Sequence, residues 1–128
     1  DTLRGFSHLL RPQVQSLVCA VAEYFRWQIG MERCLRAYPS RVLFGAGNMC
    51  RQYLARYGEA FPPLFICDND RERWGTEVCG VEVRPPEALR ELPEDCVVMI
   101  CNTFYEETAE QLRELGVRRI GAFSDECL

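Results

Sequence analysis

The run Arg41-Val42-Leu43-Phe44-Gly45-Ala46-Gly47-Asn48-Met49-Cys50 sets two glycines at the end of a short apolar stretch. Asp68 follows 23 residues after Gly45, within Phe65-Ile66-Cys67-Asp68-Asn69-Asp70. The chemistry this spacing suits is recognition of a phosphate and a ribose. Glycines let backbone amides approach a phosphate at a helix N-terminus, where the helix dipole favours negative charge. An acid ending the next strand accepts hydrogen bonds from sugar hydroxyls. Gly45, Ala46, Gly47 and Asn48 therefore form the candidate phosphate loop, with Asp68 as candidate ribose acceptor and Asn69 beside it. Asp68 also has a bland reading, as the acid that opens an Asx turn through Asn69 and Asp70. The third glycine-or-alanine position of a dinucleotide fingerprint is Cys50, and a thiol there pushes the helix from the first strand.

A second constellation is Cys101-Asn102-Thr103-Phe104-Tyr105-Glu106, at the carboxyl end of a later strand and so on the ligand side of such a sheet. Thr103-x-x-Glu106 spells a helix capping box, which explains Thr103 without a ligand. Asn102 has no such explanation and is the better site candidate. Catalytic chemistry has little to draw on. All fifteen basic residues are arginine, so a Walker A loop, a Schiff-base lysine and a Tyr-x-x-x-Lys pair are excluded on this chain. A thiol nucleophile at Cys50 or Cys101 wants a histidine base, and the single histidine, His8, lies in the N-terminal part. None of the eight cysteines forms a CxxC pair, so no metal site is expected and the thiols read as reduced core residues. No catalytic residue is assigned.

These residues need elements to hold them. Val14, Leu17, Val18, Val21 and Phe25 recur at three- and four-residue spacing, predicting an N-terminal helix with one apolar face and a bend or break at Gly30. Residues 1–39 form this helical extension, and residues 40–128 the nucleotide-binding domain. Strands are expected at 41–44, 64–67, 81–83, 97–101 and 118–123, with helices at 48–57 and 104–115 and a short one opened by Pro85-Pro86. The order gives an α/β, Rossmann-like, doubly wound and mostly parallel five-stranded sheet. The apolar stretch near Leu17 is interrupted by Glu23, Arg26 and Gln28 and cannot span a membrane, so a cytoplasmic protein is expected. A net charge of −4, with acids and arginines interspersed, argues against a nucleic-acid partner. The helical face could lie on the sheet, pair with a second copy or pack on another domain.

Phe44-Gly45-Ala46-Gly47, Phe65 to Asp70, Trp74-Gly75, Cys79-Gly80-Val81-Glu82-Val83 and Pro86-Glu87-Ala88-Leu89 follow one another in order. This succession resembles the small Rossmann-like domains of bacterial glycan biosynthesis: N-terminal domains of sugar-nucleotide N-acetyltransferases and nucleotide-sugar dehydratases, and C-terminal domains of sugar C-methyltransferases. The resemblance covers about residues 41–123. It implies a nucleotide-sugar, or less often a dinucleotide, across the strand ends, with Gly45, Gly47 and Asp68 in the loop and acid positions. It implies too that the domain binds while another domain reacts. The expectation is thus a non-catalytic nucleotide-sugar-binding accessory domain. The alternatives are an NAD(H)- or CoA-binding regulatory module and a ligand-free dimerisation scaffold.

Overall fold

The structure, a computed structural model, describes residues 12–123. Helix α1 (Pro12–Ala37) leads into strand β1 (Ser40–Phe44), helix α2 (Asn48–Tyr57) and strand β2 (Ile66–Cys67). A 3-10 turn at Arg71–Arg73 precedes the hairpin β3 (Glu77–Val78) and β4 (Val81–Arg84). A second 3-10 segment (Pro86–Glu91), β5 (Cys96–Ile100), α3 (Tyr105–Glu114) and β6 (Ile120–Ala122) complete the order. The six strands lie in the order β3-β4-β2-β1-β5-β6, parallel throughout except between β3 and β4.

One strand more than the five expected is present. The chain between Asp68 and Val81 holds the short β3, turned back by Cys79-Gly80 with φ of 49° and 84°. Two consecutive left-handed residues between paired Val78 and Val81 make the turn whose twist suits a two-residue hairpin.

Alternation along the strands divides the core between two faces. Leu43, Ile66, Val83, Val97 and Met99 point to one side, where α2 supplies Cys50, Tyr53 and Tyr57 and α1 supplies Met31 and Leu35. Val42, Phe44, Cys67, Val98 and Ile100 point to the other, against Leu89 and against Ala109 and Leu112 of α3. Every residue of β5 is buried, as a parallel strand covered on both faces requires.

Helix α1 does not break at Gly30. One glycine costs a helix only about 1 kcal/mol, and burial of Met31 and fully buried Leu35 just beyond it outweighs that. The predicted apolar stripe does not turn inward. Val14, Leu17, Val21, Phe25 and Ile29 are exposed, Leu17 at 64%. Arg41 anchors the end of α1: its buried guanidinium donates to the Leu35, Tyr38 and Pro62 carbonyls and stacks over Phe61. No helix among the described residues is long and apolar enough to cross a membrane.

Candidate functional site

Strand β1 lies between β2 and β5, and the chain leaves it toward β2 first and reaches β5 later. That reversal opens a crevice beyond the carboxyl ends of β1 and β5, the usual ligand position in such sheets. Gly45 occupies its floor at φ 112°, donating its amide to the Cys67 carbonyl at 2.8 Å. A Cβ on Gly45 would stand 2.7 Å from the Cys101 carbonyl oxygen, so the loops after β1 and β5 touch and only glycine fits.

Gly47 differs. Its φ is −98°, and a Cβ there would meet nothing within 4 Å. Neither backbone strain nor packing within the chain demands glycine at this position. The missing side chain leaves room directly above the start of α2. That helix carries no side-chain cap, so its first-turn amides are left without partners from the helix itself. Asn48 and Met49 of this turn line the crevice.

Asp68 holds the loop in shape. Its Oδ2 accepts from the Ala46 amide at 2.8 Å, and its Oδ1 accepts from the Asp70 amide at 2.8 Å. The Trp74 indole donates to the Asp68 carbonyl at 2.7 Å. The Asx-turn reading of Asp68 is therefore correct, and each carboxylate oxygen still keeps a free lone pair for a hydroxyl. Arg73 joins the site from the 3-10 turn: its guanidinium donates to the Ala46 carbonyl at 2.6 Å and lies 3.6 Å from Asp70.

On the opposite wall the local hydrogen-bonding role expected of Thr103 falls to Asn102. Helix α3 begins at Tyr105 with Phe104 in the N-cap position, so the Thr103–Glu106 capping box does not form. Asn102 does the local work instead, accepting from the Phe104 amide at 2.9 Å and donating to Thr108 Oγ1 at 3.2 Å. Asn69 pairs with Gln111 of α3, each amide donating to the other at 3.0 and 2.7 Å.

All eight residues singled out from the sequence, Gly45, Ala46, Gly47, Asn48, Asp68, Asn69, Asn102 and Thr103, line one cleft of about 480 Å³. Phe44, Met49, Asp70, Arg73 and Cys101 also line it and were not among the candidate site residues. Arg73 left a sequence trace in an acid–arginine pair three apart in Asp70-Arg71-Glu72-Arg73. Burial raises the Cys101 thiol well above its ordinary value and pushes Cys50 up to about 12, so neither is a thiolate at neutral pH. Cys50 of α2 is fully buried on the face turned to the sheet, within the core rather than in the cleft. His8 lies outside the described residues. Among the described residues no group of three His, Cys, Asp or Glu side chains could hold a metal ion.

Glycine loop, helix N-terminus and strand-end acid on a mostly parallel sheet define a Rossmann-like α/β fold. Comparison with solved structures agrees at the level of fold. The chain is similar to RSP, a Rex-family repressor, at 22% identity and a TM-score of 0.53, over 70% of this chain and 46% of that one. It is similar to RSP in complex with β-NAD+ and operator DNA at 22% identity and TM-score 0.52, over 66% of this chain and 42% of that one. It is also similar to RSP in complex with β-NADH at 22% identity and TM-score 0.51, over 66% and 44%. The chain thus spans less than half the length of these repressor chains. No protein-family model and no curated protein matches it.

Two expectations are corrected by these likenesses. The three similar structures are repressors, so the Rossmann-like part of the glycan-biosynthesis resemblance stands and its glycan part finds no support. The exclusion of a nucleic-acid partner falls as well, because one of the similar proteins is bound to operator DNA. The physical reason is that net charge was counted over a chain matching only 42% of that repressor. The charge of a matching part does not fix the charge of a DNA-contacting face elsewhere.

Proposed function

We propose that this chain is a dinucleotide-binding module that takes NAD(H) and serves regulation, with the ligand's state passed to a partner. The observation that carries this reading is the combination at the crevice floor: an uncapped α2, open space at Gly47, and Asp68 fixing the loop from below. In this reading the diphosphate lies over the amides of Gly47, Asn48 and Met49, where the helix dipole and the unpartnered N–H groups both favour anionic oxygen. Asp68 accepts ribose hydroxyls with its remaining lone pairs, and Arg73 supplies the cationic side chain lining the cleft.

The NAD(H) complexes of the similar repressor favour this ligand over a sugar nucleotide. The buried thiols and the missing lysines favour binding over reaction. Residues 40–128 would form the binding unit, with residues 1–39 as the coupling extension. Met31 and Leu35 supply the route, since both belong to the cluster that contains Leu43 of β1 and Ala46 of the glycine loop.

Thermal-shift measurements against NAD+, NADH, CoA, UDP-sugars and dTDP-sugars test the reading. A ligand at 100 times its dissociation constant adds about 2.7 kcal/mol of stability. NAD+ or NADH should raise the melting temperature clearly. Stabilisation by a sugar nucleotide with none from NAD+ or NADH would overturn the assignment.

A further inference from the structure

Asn69 and Gln111 are separated by 42 positions in the chain and meet across the carboxyl edge of the sheet. Their side-chain amides form a closed pair, each donating one N–H and accepting one, at 3.0 and 2.7 Å. The pair is exposed, and neither amide caps a helix or fills a core. Two neutral hydrogen bonds in contact with water add little to stability.

Position gives the pair a different meaning. Asn69 lines the glycine-loop cleft and also a second cleft of about 320 Å³, walled by Gln111, Trp74, Pro86 and Arg90. That volume is at the lower end of the range for ligand pockets. The Gly47 amides, Asp68 and Asn69 line one cleft, and Asn69 shares the second with Trp74. A nucleotide laid over them would meet these groups as phosphate, sugar and base. The Trp74 ring is held at this place by its bond to the Asp68 carbonyl, with the Arg71 guanidinium over one face, and the other indole face is a stacking surface for a base.

We propose that the Asn69–Gln111 pair is a base-reading clasp, in which adenine replaces one amide as the partner of the other. This rests on the NAD(H) reading of the neighbouring cleft. Adenine carries an N6 donor next to a ring-nitrogen acceptor, the same donor–acceptor pair that each amide now presents to its mate. Exchange of one partner keeps a two-point hydrogen bond, so the clasp opens for a matching edge and stays shut against one that lacks it. Trp74 supplies the stacking wall.

The test is calorimetric titration of the full chain and its variants with NAD+ and with 1,N6-etheno-NAD+. In the etheno compound the N6 donor is gone and the adjacent ring nitrogen is blocked. The wild-type chain should bind NAD+ about 10-fold more tightly than the etheno form, or more, the value of one good two-point contact. The double variant Asn69→Leu/Gln111→Leu, which removes whichever amide adenine retains, should weaken NAD+ binding and bring the two ligands level, with the melting temperature unchanged. Equal wild-type affinities, or a preference that survives both substitutions, overturns the clasp and leaves the cleft as a site. Failure of the wild-type chain to bind NAD+ at all overturns the site reading, and the clasp with it.

Discussion

Gly45 and Gly47 are two residues apart, yet the structure assigns them opposite roles, and alanine at each position separates fold from binding. At Gly45 the backbone has φ 112°, a conformation that costs a side-chain-bearing residue about 1–3 kcal/mol. The new Cβ would also stand 2.7 Å from the Cys101 carbonyl oxygen, a main-chain atom that can move only if the loop after β5 moves. The two effects together give Gly45→Ala a loss of about 3 kcal/mol or more. In a domain of this size that is a fall in melting temperature of about 10 °C. At Gly47 the φ of −98° suits any residue and no atom lies within 4 Å of the Cβ position. Alanine is the poorer N-cap by up to about 1 kcal/mol. The reduced freedom of the unfolded chain returns about 0.4–1 kcal/mol, so the net change in Gly47→Ala is within about 1 kcal/mol. Its methyl group, however, stands over the amides proposed to hold the diphosphate, and NAD+ affinity should fall about 10-fold, equivalent to about 1.4 kcal/mol. Differential scanning fluorimetry and calorimetric titration of both variants decide the matter. A Gly47→Ala protein that melts as early as Gly45→Ala, or one that binds NAD+ like wild type, would refute the reasoning.

Asp68→Ala removes the acceptor for the Ala46 and Asp70 amides. The Asp70 amide is exposed but Ala46 is buried, so the stability loss should be about 1–3 kcal/mol, while NAD+ affinity falls at least 10-fold as the loop loosens. A variant with wild-type affinity removes Asp68 from the site. Burial pushes the thiols of Cys50 and Cys67 up to about 12 and raises that of Cys101, against an ordinary value of 9.0. The folded chain then holds protons that the unfolded chain releases. This contribution is complete below pH 9 and is lost as pH rises toward 12. The melting temperature should therefore drop steadily above pH 9, and a flat profile to pH 11 would contradict the burial of these thiols.

The Rossmann-like sheet was legible because its signals are dense: buried runs at β1 and β5, a glycine turn between β1 and α2, and prolines that punctuate the connections. Strand β3 was hidden because it has two residues, one of them Glu77, and its Cys79-Gly80 turn lacks the usual Asn or Asp. Gly30 suggested a break because local propensity says nothing of the packing that Met31 and Leu35 contribute. The cleft residues were legible since each sits at the carboxyl end of a strand, where topology gathers them. Their individual roles were less so. The capping assignment failed by a shift in where α3 begins, which moved the local hydrogen bonds from Thr103 to Asn102. Arg73 reaches back 27 positions to Ala46, and Asn69 reaches forward 42 to Gln111. Pairings over such distances leave no periodic trace in a single sequence.

NAD(H) is the proposed ligand of the crevice beyond β1 and β5. Titration of the chain into NADH, followed by nicotinamide fluorescence and by competition with ADP-ribose and UDP-glucose, tests it most directly. A saturable change with one site per chain is expected, reversed by ADP-ribose and not by UDP-glucose. No saturable change, or displacement by UDP-glucose alone, would contradict it.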